Sequence, residues 1–117
     1  GSIVSYSNEL KNSLLNISEE KLSKYGAVSQ EVCETMAINV KGKLGADWAI
    51  AISGIAGPDG GSQDKPVGLV YVSIAGPNNH ITNIKKIFNS TRDRIEIQTL
   101  SVNLCLNSLR LILLSIR

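Results

Sequence analysis

Residues 48–75 read WAIAISGIAGPDGGSQDKPVGLVYVSIA, two apolar runs separated by the glycine-rich stretch Ser53–Gly68. Five of the ten glycines (Gly54, Gly57, Gly60, Gly61 and Gly68) and two of the three prolines (Pro58 and Pro66) fall inside that stretch. Residues 47–53 carry no polar alternation, so they predict a strand buried on both faces, and Val67–Ala75 predicts a second. Glycine between two such strands means backbone that takes positive φ or lets another group approach closely. A long loop stiffened by proline in this position is more often functional than idle.

The loop lies just past a buried strand, and open α/β sheets bind ligands outside the carboxyl ends of their strands. Successive backbone N–H groups in glycine-rich turns form concave anion sites, to which the hydroxyl of Ser53 adds a donor. Lys65 is followed by Pro66, so the loop is not a phosphate-binding GxxxxGK[ST] element, and no GxGxxG is present. Asp59 and Asp64 lack the alternating ligands of a calcium loop. The residues alone therefore point to a small-anion or phosphate site with the ligand unnamed.

Outward from the loop, Ile3–Tyr6 reads as a short strand. Ser7 or Asn8 caps a helix carrying Leu10, Lys11, Leu14 and Leu15. Ser18 caps a short helix with Glu19 and Glu20 in its first turn, ending near Gly26. Ser29 opens a longer helix on which Val32, Met36, Val40 and Leu44 form a stripe, with Gly45 at the left-handed position past its end. Gly76-Pro77-Asn78-Asn79 is a turn, and Ile81–Phe88 a partly exposed strand pairing antiparallel with the one before it. Ser90 or Thr91 caps the final helix, whose second half is apolar nearly all round. Such a helix is covered on more than one side, by the sheet and by a further segment or subunit. Helices alternate with strands, which gives an α/β fold with the sheet sandwiched between helices.

At 117 residues the chain is one domain with a real core. Apolar residues at 43% and charged residues at 19% are ordinary for a globular protein, and a net charge of +2 excludes an electrostatic case for nucleic acid. Cys33, Cys105 and the single His80 make no zinc quartet, so no metal site is expected. The two cysteines read as buried thiols of a reducing compartment. No signal peptide is visible, and the most apolar run, Leu109–Ile116, is too short to span a bilayer and is broken by Arg110. A cytoplasmic protein without a membrane partner follows.

Two further positions bear on chemistry. By itself Lys11 reads as a solvated surface lysine, yet near Tyr6 in a desolvated site it could lose its proton and act as a base. Arg92 suits bidentate pairing with phosphate, its plainer reading being an exposed arginine, and Asp93 beside it reads as a first-turn acid.

These residues carry a resemblance. Ser53–Pro58, Gly60-Gly61 and Lys65–Gly68 are similar to the signature of the C-terminal domain of the competence/damage-inducible protein family CinA. Tyr6-Ser7-Asn8 with Lys11 resembles that family's Y-S-N-x-x-K, Gly26-Ala-Val-Ser29 its G-A-V-S, and Phe88 with Arg92 its F-x-x-x-R. The resemblance covers the whole chain, with its matches in the family's order. It implies a three-layer α/β/α sandwich with a mixed sheet. It also implies hydrolysis of the amide of nicotinamide mononucleotide to the acid and ammonia, with no metal or cofactor. Lys11 and Tyr6 match the family's base and its assisting tyrosine. Ser53, Gly54, Ile55, Ala56 and Gly57 would hold the nucleotide, and Arg92 would meet its phosphate. The family's nucleophilic serine lies in an E-S-C-T-G-G segment that these 117 residues do not contain. The resemblance thus implies a domain lacking its first strand and helices, with the nucleophile upstream of Gly1. A homodimer is expected from the last helix. The rival expectation is a non-catalytic nucleotide-binding or assembly module.

Overall fold

Three of the four helices among the described residues begin where a serine side chain replaces a missing backbone acceptor. In the computed structural model, which describes residues 1–116, Ser7, Ser18 and Ser29 accept from the backbone N–H of Leu10, Lys21 and Val32. They start α1 (Asn8–Leu15), α2 (Glu19–Tyr25) and α3 (Gln30–Leu44). Such a cap is worth about 1 kcal/mol. Gly45 ends α3 in the left-handed region, as expected. The strands β1 (Ala49–Gly54), β2 (Leu69–Ala75) and β3 (Ile81–Ile87) follow, then α4 (Arg94–Ser115).

The cap of α4 is Asp93, not Ser90 or Thr91. Its carboxylate accepts from Glu96 N–H while the Glu96 side chain reaches back to Asp93 N–H, a reciprocal pair that outcompetes a lone hydroxyl. Thr91 is held in the preceding turn, where its N–H and hydroxyl both donate to Asn89 Oδ1, at 3.0 and 2.9 Å.

The protein is α/β, and its sheet has the order β1-β2-β3. Ile55 N–H donates to Leu69 C=O at 2.9 Å and Gly76 N–H to His80 C=O at 2.9 Å, so both pairings run antiparallel. A mixed sheet would need a crossover connection, usually helical, between parallel strands, and neither link here contains a helix. Residues 3–6, expected as a strand, are irregular. The Ser5 carbonyl accepts a hydrogen bond from Lys11 Nζ at 2.7 Å instead of from a sheet neighbour. β2 is the central strand and is buried at all but Tyr71. β1, expected to be buried on both faces, lies at an edge and leaves Ile52 exposed. β3 lies at the other edge, with Lys85, Lys86 and Ile87 exposed.

The chain divides into two compact units, Gly1–Ser53 with Tyr71–Lys85, and Gly54–Val70 with Lys86–Arg117. In the first, Leu15, Ile17, Leu22, Val32, Cys33, Met36 and Ala37 pack with Ala51 and Ala75. Each large aliphatic side chain buried this way contributes about 1.5–3 kcal/mol. The Cys33 thiol donates to the carbonyls of Ala51 and Tyr71, at 3.3 and 3.4 Å, and burial pushes its pKa up. Cys33 and Cys105 are both buried and outside any disulfide.

In the second unit, only Ile97, Ser101 and Cys105 of α4 are buried. Ile95, Leu106, Leu111 and Leu114 are exposed, so the described residues leave part of the apolar surface of α4 uncovered, and the further segment or subunit expected to cover it is not among them. On length and composition alone, α4 as a whole is apolar enough to cross a bilayer, a test that core helices of soluble proteins also pass. The expectation of no spanning segment considered only Leu109–Ile116, and the intact helix is longer.

Candidate functional site

The loop from Ile55 to Gly68 is closed at its base. Gly68 N–H donates to Ile55 C=O at 2.7 Å, and the Gly68 carbonyl accepts from Phe88 N–H at 2.8 Å. In the distal half, Ser62 N–H donates to Lys65 C=O at 2.9 Å and Lys65 N–H to Ser62 Oγ at 3.1 Å. Gly57 is buried with φ at 78°, and a Cβ there would lie 2.6 Å from Val67 Cγ1. Only glycine fits that position. The Gly57 carbonyl accepts from Arg94 Nη1 at 3.1 Å. Ala56 makes no hydrogen bond among the described residues, which leaves its N–H available to a ligand.

An open groove in the second unit is lined by Pro58, Val67 and the segment Ser90–Ile95. It brings the loop and Arg92 to one place. Arg92 lies in the turn ahead of α4, where its N–H donates to Asn89 C=O at 3.0 Å. Its guanidinium pairs with Glu96 at 3.2 Å, with both side chains about half exposed. An exposed pair of this kind is worth at most about 1 kcal/mol, so an incoming phosphate can displace it.

Ser53, Tyr6 and Lys11 belong to the first unit. Ser53 Oγ donates to Ala27 C=O at 2.7 Å, which commits its proton within the protein and leaves its oxygen only to accept. Tyr6 is 89% exposed, directly ahead of the Ser7 cap. Lys11 is not a solvated surface lysine, being only 8% exposed on α1. Its Nζ donates to Ser5 C=O, and desolvation lowers its pKa from the ordinary 10.5. The Lys11 ammonium has no acidic partner among the described residues; the Ser5 carbonyl favours its charged form, and desolvation is what lowers its pKa. A lysine in this state gives up its proton more readily than one in water.

Among the described residues no cluster of three or more His, Cys, Asp or Glu side chains could hold a metal ion. Sequence reasoning missed Arg94. Nothing in its spacing links it to Gly57, which lies 37 positions earlier.

Three serine-capped helices, an antiparallel sheet and a glycine-rich loop facing an arginine turn make this an α/β domain. Its fold recurs in solved competence/damage-inducible proteins. The competence/damage inducible protein CihA from Agrobacterium tumefaciens superposes with a TM-score of 0.86 at 34% identity, covering 90% of this chain and 63% of that one. The CinA superfamily protein from Enterobacter cloacae gives 0.84 at 29% identity, covering 92% and 62%. The chain belongs to the CinA C-terminal domain family, whose model matches residues 1–113. A CinA-like protein of Prochlorococcus marinus (strain AS9601) is 89% identical over 115 residues, 98% of this chain but 27% of that protein. That of Gloeothece citriformis (strain PCC 7424) is 46% identical over 94% of this chain. The chain thus spans about a quarter of the length of the curated relatives it matches.

Proposed function

We propose that this domain belongs to an amidohydrolase that converts nicotinamide mononucleotide to nicotinic acid mononucleotide and ammonia. The observation that carries the reading is Lys11. A lysine held out of water, without a carboxylate to keep it charged, reaches its neutral, base-competent form at a lower pH than a solvated one. Each unit by which its pKa falls raises its neutral fraction about tenfold at a given pH. Its position in Tyr6-Ser7-Asn8-x-x-Lys11 matches the base of the family pattern.

In this reading Lys11 takes the proton of a serine lying upstream of residue 1. That serine attacks the amide carbon, the proton passes from Lys11 to the departing nitrogen so that ammonia leaves, and water cleaves the resulting ester to give the acid and restore the serine. Tyr6 assists the proton transfer. Ser53 and the loop residues Gly54–Gly57 hold the nucleotide, and Arg92 meets its phosphate. A cytoplasmic location, where the thiols of Cys33 and Cys105 stay reduced, accompanies this assignment. A second reading, a non-catalytic nucleotide-binding or assembly module, is favoured by the uncovered apolar side of α4, which suits a homodimer.

The test is ammonia release from nicotinamide mononucleotide by three samples: residues 1–117, the full-length protein, and full-length Lys11→Met. Turnover is expected only from the unsubstituted full-length protein. No turnover by that protein would favour the module. Robust turnover by residues 1–117 would place the nucleophile within them and overturn the mechanism.

A further inference from the structure

Arg94 is the first residue of α4, yet its side chain reaches back to the glycine loop, where Nη1 meets the Gly57 carbonyl at 3.1 Å. Gly57 is held from a second direction by Val67, whose methyl occupies the space a Cβ would need. A carbonyl fixed by a charged donor and a Cα seated on a side chain leave the peptide planes around Gly57 little freedom. The Gly57 carbonyl belongs to the Gly57–Pro58 peptide, which carries no N–H, so its hold reaches the N–H groups of Ala56 and Gly57 through the Gly57 Cα that it helps to fix. Ile55 N–H is already used by Leu69 C=O, so the loop's capacity to bind an anion rests on the residues that Arg94 and Val67 fix. The neighbouring Arg92 is occupied otherwise, on Glu96. Both arginines line the groove, Arg92 paired with Glu96 and Arg94 with the Gly57 carbonyl.

We propose that Arg94 is a positioning residue for the nucleotide's phosphate, acting through the Gly57 carbonyl rather than by touching the ligand. The inference rests on the reading that the loop binds the substrate phosphate, and it adds a determinant that the family pattern at Arg92 does not contain. Arg94 is exposed, so truncating its side chain leaves no buried hole.

The experiment uses full-length protein with Arg94→Ala and Arg94→Lys. Inorganic phosphate and nicotinamide mononucleotide are titrated by calorimetry, and KM, kcat and the melting temperature are measured. Removing a charge-assisted hydrogen bond to the loop should raise both Kd values by roughly tenfold or more, and KM should rise more than kcat falls. Arg94→Lys should recover part of the loss, because an ammonium also donates to a carbonyl. Unchanged Kd values in Arg94→Ala overturn the proposal, as does a loss that tracks a large fall in melting temperature. If the unsubstituted protein binds phosphate, releases no ammonia, and still loses phosphate affinity on Arg94→Ala, the amidase reading fails and the positioning role stands. If the unsubstituted protein binds neither probe, both fail.

Discussion

Gly68 offers a quantitative test of how the loop is held. It joins three segments: its N–H reaches Ile55, its carbonyl receives Phe88 N–H, and its φ is 96°. In Gly68→Ala the new methyl would collide with the Phe88 carbonyl oxygen, a backbone atom that cannot swing aside. A non-glycine residue at positive φ costs about 1–2 kcal/mol. Displacing the Phe88 backbone sacrifices a hydrogen bond worth about 0.5–1.5 kcal/mol. Together these predict roughly 1.5–3.5 kcal/mol of destabilisation, or a fall of about 6–14 °C in melting temperature at about 4 °C per kcal/mol. Gly42 is the matched control, for it lies within α3, is exposed, and a Cβ there meets nothing within 4 Å. Gly42→Ala should stabilise by about 0.5–1 kcal/mol. Thermal unfolding of both variants in the same polypeptide, followed by circular dichroism, reads the difference. A Gly68→Ala protein as stable as the unsubstituted one would refute the account of the loop base.

Arg92→Ala should weaken nucleotide binding by roughly 1.5–3 kcal/mol in a calorimetric titration, and an unchanged affinity would remove Arg92 from the phosphate site. Because desolvation lowers the folded-state pKa of Lys11, the unfolded chain binds more protons than the folded one between that value and the ordinary 10.5. Stability attributable to Lys11 therefore rises with pH through this window. Urea titrations across it should show the rise in the unsubstituted protein and not in Lys11→Met, and parallel profiles would contradict the desolvation. Ammonia release by the full-length protein should likewise increase with pH as Lys11 becomes neutral, with a midpoint below 10.5. The exposed Leu106, Leu111 and Leu114 predict self-association, so sedimentation of the full-length protein should give a homodimer or larger, and a strictly monomeric mass would count against it.

Local chemistry made most elements readable. Each of Ser7, Ser18 and Ser29 carries its own capping oxygen, and Gly45 its own conformational freedom, so three helices were bounded by short-range signals. β2 was legible as a buried strand because Ser73 alone interrupts its apolar run. The misreadings arose where distant partners decide. Whether Ile52 is covered depends on β1 lying at an edge, which its composition does not encode. Residues 3–6 have strand-forming side chains but no sheet neighbour among the described residues. Asp93 beat Ser90 and Thr91 as a cap through its partnership with Glu96, a pattern that was present in the sequence and passed over. The expectation of an anion site at the glycine loop came from composition alone. The burial of Lys11 and the reach of Arg94 to Gly57 depend on tertiary packing, and no spacing rule foretells them.

The hydrogen bonds that join Ile55 to Gly68 and Leu69 separate the loop's root from its tip. The stretch from Asp59 to Asp64 is exposed, so added residues there need displace no packed side chain. Once the root is tied, each doubling of the length beyond it costs only about 0.6 kcal/mol in closure entropy. Relatives can therefore lengthen, shorten or recharge the tip, and so alter what the domain admits, while the backbone around Gly57 keeps one shape.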